Sequence, residues 1–171
     1  QASPEQCISL SALFAKYKQE KIRAKAWTSK TGVQAEDNYQ LLIGLIGDIQ
    51  VSQVNQGMAG KVKESLQRFP SNAKKKRAYR GKPLQAILKI AIPPSDLMSI
   101  KTINIKLATY SEVFNWAVTH GFSDSNPFKG IQIKDHRNAQ DLRLPFTVTE
   151  LNKLFSAPPI AQPKKPHHYW L

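Results

Sequence analysis

The stretch SIKTINIKLATYSEVFNWAVTH, residues 99–120, decides the fold class. Ile103, Leu107, Tyr110, Phe114 and Ala117 recur at spacings of four, three, four and three, which gathers them into one stripe of an α-helix. Lys101, Asn104, Ala108, Glu112 and Asn115 fall on the opposite side. Ser99 suits the N-cap, and Gly121 is placed to end the helix. A helix with one apolar stripe must bury it against other elements, and the flanking sequence supplies partners of the same period.

Toward the N-terminus, a short apolar segment from Leu84 to Ile92 ends at Pro93 and Pro94, and a basic loop occupies Pro70 to Pro83. Before it, Asn55 caps a helix with the stripe Met58, Val62 and Leu66, stopped by Phe69 and Pro70. Gly57 and Gly60 weaken that helix by about 1 kcal/mol each, so it depends on packing. A short extended piece, Ile49 to Val54, follows Gly47 and Asp48, which end a helix starting near Lys30. That helix shows Val33, Tyr39, Leu42, Ile43 and Ile46 on its apolar face. The first helix runs from Ser9 or Ser11 to about Lys25, with Leu10, Leu13, Phe14 and Tyr17 opposite Lys16, Lys18, Gln19 and Lys21. Toward the C-terminus, Asn126, Pro127 and Phe128 turn the chain, and Ile131 to Pro145 reads as a polar, basic linker. Thr147 to Glu150 is a capping box opening a short helix with Leu151, Leu154 and Phe155. No sustained alternation and no internal repeat occurs. The expected architecture is all-α: a small orthogonal helical bundle over residues 1–130, a basic linker over 131–146, and the opening of another domain over 147–171.

Charge narrows the function. Lys and Arg total 25 against 12 Asp and Glu, a formal net charge of +13, and such an excess favours a polyanionic partner over a metabolic substrate. The excess is local: Lys61 to Lys82 holds nine bases against Glu64 alone, a net of +8. The one cysteine, Cys7, excludes a disulfide within the chain and leaves no Cys/His zinc set. No run of 18 apolar residues is present to span a membrane. With no initiator methionine and no signal segment, the chain is expected to be a trimmed piece of a cytoplasmic protein. His167, His168 and Tyr169 have no acidic or sulfur partner in any motif, so neither a metal nor a cofactor is expected. Glu112 and Asp124 form no carboxylate pair, no glycine loop cradles a phosphate, and Trp27 and Trp116 read as packing residues.

The order of these features resembles the amino-terminal half of a tyrosine recombinase of the phage integrase family, over roughly Ile8 to Phe155. The resemblance is carried by Ser9 opening the first helix, Trp27 before Thr31, and Gly47 and Asp48 before Val51. Arg68, Phe69 and Pro70 close the third helix, and Ser99 to Asn104 open the long one, with Phe114 to Ala117 near its end. Gly121 and Phe122 then precede Asn126, Pro127 and Phe128, and Phe146 to Leu151 resembles the start of the catalytic domain. The family implies a SAM-like core-binding domain that clamps duplex DNA together with a catalytic domain, as a homotetramer on DNA. Its chemistry uses a tyrosine nucleophile with arginines, a lysine and histidines in the catalytic domain. The resemblance puts the first of those arginines shortly beyond Leu171, so no catalytic residue carries over and this chain is expected to bind rather than cleave.

The candidate DNA contacts follow. Lys74, Lys75, Lys76, Arg77, Arg80 and Lys82 can neutralise phosphates, lysines as point charges and arginines in bidentate fashion. Six such contacts set a slope of log affinity against log salt of about −5. Ser99, Lys101, Thr102 and Asn104 stand at the positive end of the long helix. Lys30, Thr31 and Gln34 stand at the start of the second helix, which the resemblance also turns toward DNA. Lys134, His136, Arg137 and Arg143 in the linker can track the backbone. The rival reading is a basic helical adaptor that binds RNA or an acidic protein surface.

Overall fold

The computed structural model describes residues 7–135 and 145–157. These residues form α1 (Leu10–Arg23), α2 (Ser29–Ile46), α3 (Gln56–Gln67), α4 (Leu84–Leu88), α5 (Ile100–Thr119) and α6 (Val148–Phe155). Single 3₁₀ turns lie at Val51–Gln53 and Pro94–Asp96. Pairing among the described residues is limited to two isolated antiparallel bridges, Ser9 with Gln50 and Pro70 with Leu97, so the fold is all-α. The chain divides into two compact units after Asp135, with α6 in the second.

Each long helix of the first unit starts where a short polar side chain takes a free N–H. Ser9, Thr28, Asn55 and Ser99 accept from the amides of Ala12, Thr31, Met58 and Thr102. The Asp48 carboxylate accepts from the Ser11 amide at 2.9 Å and from its hydroxyl at 2.7 Å, which pins the start of α1 to the end of α2. Those bonds hold the Asp48 carboxyl below the ordinary aspartate range. Gly47 at φ 87° and Gly121 at φ 74° end α2 and α5 in backbone that side chains with a Cβ rarely adopt.

The core lies where α5 meets α1, α2 and α3. Ile103, Leu107, Tyr110, Val113, Phe114 and Ala117 are buried against Leu10, Leu13, Phe14 and Tyr17 of α1, Tyr39 and Leu42 of α2, and Val62 and Leu66 of α3. Phe14 stacks on Tyr39 with ring centroids 4.2 Å apart. Asn126 locks the following turn onto α5: its Nδ2 donates to the Ser111 carbonyl and to Asn115 Oδ1, and its Oδ1 accepts from the Phe128 amide. That turn delivers Phe128 into the core beside Tyr110 and Phe114.

Four expectations change. Val33 is 65% exposed, because the buried stripe of α2 runs through Gly32, Ala35, Tyr39 and Leu42 and leaves position 33 a quarter-turn away. The piece from Ile49 to Val54 is extended at Gln50 and Val54 but coils between them into a 3₁₀ turn that buries Val51. The basic stretch is a ladder of turns with its own small core of Phe69, Tyr79 and Ile87. The bundle reaches Asp135 rather than Gly130, since Ile131 and Ile133 pack against it and add apolar contact that polar neighbours concealed. In α6 the capping box forms as expected, with Thr147 Oγ1 accepting from the Glu150 amide and Glu150 Oε2 from the Thr147 amide.

Leu107→Ala leaves a cavity at the centre of the bundle and costs about 2–5 kcal/mol in urea unfolding. Ile105→Ala, at a position 51% exposed on the same helix, changes stability by about 0.5 kcal/mol or less.

Candidate functional site

Seven cationic side chains stand between Arg68 and Lys82 on a segment that would repel itself as an open loop. The structure shows how it folds. Asn72, in the left-handed region at φ 53°, offers its carbonyl to the Lys75 and Lys76 amides. The Lys76 carbonyl accepts in turn from the Tyr79 and Arg80 amides, and the Tyr79 carbonyl from the Lys82 amide. At the root, the Ser71 amide donates to the Asp96 carbonyl at 2.7 Å and the Met98 amide to the Phe69 carbonyl at 3.1 Å. The Tyr79 ring is buried with Phe69 and Ile87, flanked by Leu41, Leu84 and Met98.

Asp96 sits beneath this segment. Its Oδ1 accepts from Lys76 Nζ at 2.6 Å and its Oδ2 from the Tyr79 hydroxyl at 2.9 Å. The Lys76 bond, then the Tyr79 bond, hold the Asp96 carboxyl below the ordinary aspartate range. The same hydrogen bond to Asp96 pushes the Tyr79 phenol up. Lys74 reaches Asp37 of α2 at 2.6 Å, in a pair whose side chains are 78% and 55% exposed. Such a surface pair contributes about 0–1 kcal/mol. Lys75, Arg77, Arg80 and Lys82 are exposed and form no ion pair among the described residues.

The segment meets the α2 candidates through Asp37. Lys30, Gln34 and Asp37 follow one another at i, i+4 and i+7, so the stripe of α2 that holds Lys30 and Gln34 leads to the carboxylate that meets Lys74. Lys30, Thr31 and Gln34 are exposed, although Thr31 also shares a hydroxyl contact with the capping Thr28. On α5, Ser99, Thr102 and Lys106 share a face at i, i+3 and i+7. The Ser99 and Thr102 hydroxyls bond each other at 2.9 Å. Lys106 is half-buried and donates to Asn38 Oδ1 of α2 at 2.6 Å, with burial holding its ammonium below the ordinary lysine range.

Lys101 and Asn104 lie on a different face of α5. Asn104 donates through Nδ2 to the Ile133 carbonyl at 2.8 Å and accepts through Oδ1 from the Ile133 amide at 2.9 Å. Its amide is thereby committed to the chain leaving the bundle. Lys101, Asn104, Ile105 and Ala108 line a shallow groove with Gln132 and Asp135. Lys134 is exposed beside it, while His136, Arg137 and Arg143 lie outside the described residues.

Sequence reasoning missed Asp96, Asp37 and the Asn38–Lys106 contact, all of which depend on long-range proximity. Tyr79 carried a signal, as the one aromatic side chain in the basic loop from Pro70 to Pro83. The tryptophans pack as expected: Trp27 and Trp116 meet Tyr17 edge-on, and Trp116 Nε1 donates to Glu20 at 2.9 Å. Glu112 is engaged by Tyr17 and Lys21. Among the described residues no group of three or more His, Cys, Asp or Glu side chains is placed to hold a metal ion. No helix among them is long and apolar enough to cross a membrane. No protein-family model, curated protein or solved structure matches the chain.

The lowered carboxyl of Asp96 sets a pH dependence. Its clasp is fully present above the ordinary aspartate value, about 3.9, and is lost as pH falls through the lower folded value. The Tyr79 and Lys76 amide resonances shift in that acid range, and Asp96→Asn removes the shift.

Proposed function

We propose that the first unit binds duplex DNA as the core-binding domain of a site-specific tyrosine recombinase, acting in the cytoplasm on a prophage or other integrated element. The observation that carries the reading is the set of exposed Lys75, Arg77, Arg80 and Lys82, without an ion pair among the described residues, on a segment given shape by Tyr79. Polyanions are held mainly by such phosphate contacts, which position the protein without reading sequence. Lys74 joins them, because its exposed pair with Asp37 exchanges readily for a phosphate. Lys30, Thr31 and Gln34, with Ser99 and Thr102, extend the footprint onto two helices, where polar side chains add limited base readout in the major groove. The order of motifs from Ser9 to Leu151 adds the family, its SAM-like bundle and a tetrameric assembly on DNA. In this reading the domain positions DNA for a catalytic domain of the same protein, and none of its own residues performs the cleavage chemistry.

Five contacts from Lys74, Lys75, Arg77, Arg80 and Lys82 give a slope of log affinity against log salt of about −4.5. Fluorescence anisotropy with a labelled duplex measures it. Replacing Lys75, Arg77, Arg80 and Lys82 together by glutamine weakens binding and flattens the slope by about 3.6; an unchanged titration rejects the segment as the contact. Tighter binding to an RNA duplex or to polyglutamate than to DNA favours a basic adaptor instead. A nicked suicide duplex traps no covalent adduct with this chain, and a trapped band overturns the division of labour.

A further inference from the structure

We propose that Asp96 is a positioning residue for polyanion binding: an acidic side chain that strengthens the hold on an anion by moulding the cations around itself. The inference rests on the duplex-binding reading and concerns how the same site is built. Lys76 and Tyr79 are three residues apart on the turn ladder, and both point inward to the two oxygens of one carboxylate. Lys76 and Asp96 are mostly covered, with side chains 33% and 29% exposed, so this pair is far less open to exchange than Lys74 with Asp37. Lys76 is therefore an anchor of the fold and not a phosphate contact. With residues 76 and 79 drawn inward, Lys75, Arg77, Arg80 and Lys82 are left outside. Their alternation around the two anchors is what separates inward from outward cations. The Asp96 backbone adds to the hold, since its carbonyl takes the Ser71 amide at the root of the segment. Preorganised charges bind more tightly than the same charges on a mobile tether, because ordering has been completed before contact.

The test turns on a sign. Asp96→Asn adds one unit of positive charge to the protein and releases Lys76, so counting charges alone expects tighter DNA binding. Positioning expects the reverse, because Lys76 and Tyr79 each use a different oxygen of the carboxylate, and the amide offers one acceptor oxygen and no charge in their place. In the full chain, Asp96→Asn weakens binding to a labelled duplex about tenfold and makes the salt slope shallower. Amide exchange across residues 74–82 speeds up, and the urea midpoint of the helical bundle stays in place. Asp96→Glu, which keeps the charge and both acceptors, recovers most of the affinity. Tyr79→Phe, which leaves net charge unchanged, weakens binding in the same direction and decides the matter if Asp96→Asn disrupts the bundle. Binding by Asp96→Asn equal to or tighter than the original overturns the positioning role while leaving the duplex reading intact. Absence of any salt-dependent binding by the unaltered chain overturns both.

Discussion

Leu107, Tyr110 and Phe114 of α5 are sealed from solvent among side chains of α1, α2 and α3, and the rest of the bundle is arranged around that contact. Burial of these large side chains is the main favourable term available to a helical unit without a disulfide or metal among its described residues. It also sets where polar groups go. The Tyr110 hydroxyl, forced inside by its ring, donates to the Asn38 carbonyl at 3.0 Å, and the adjacent Asn38 side chain takes the Lys106 ammonium. One apolar stripe thus brings a row of hydrogen bonds with it and fixes the rotation of α2 against α5.

The basic segment obeys a different balance. Its small core of three buried side chains is modest, and its cations repel one another. Two carboxylates from outside the run, Asp37 and Asp96, relieve part of that repulsion at Lys74 and Lys76. Local net charge is therefore lower than residues 61–82 suggest, while the outward charge of Lys75, Arg77, Arg80 and Lys82 is undiminished. A surface of this kind stays folded without a partner and still offers exposed cations to one.

The parts of the fold legible in sequence are those with local causes. Caps at Ser9, Asn55 and Ser99, terminating glycines at positions 47 and 121, and the stripe of α5 all arise from interactions within one helical turn or two. Val33 misleads because a single apolar residue next to a stripe satisfies the period only loosely. Ile131 and Ile133 read as linker because their packing depends on a side-chain amide from a helix that begins some thirty positions earlier, with Asn104 and Ile133 29 positions apart. No periodicity reveals such a contact. The candidate site divides in the same way: charge density is plain, whereas the inward or outward fate of each lysine depends on Asp37 and Asp96, 37 and 20 positions distant.

The clasp between Asn104 and Ile133 has a mechanical side. A primary amide copies the donor and acceptor of a peptide group, so this pair amounts to a two-rung ladder between a helix side chain and a departing length of backbone. Tension carried along the backbone at Ile133 is passed through that ladder to the longest helix of the bundle. It is met by two hydrogen bonds loaded together before the aromatic seat of Phe128 begins to carry strain.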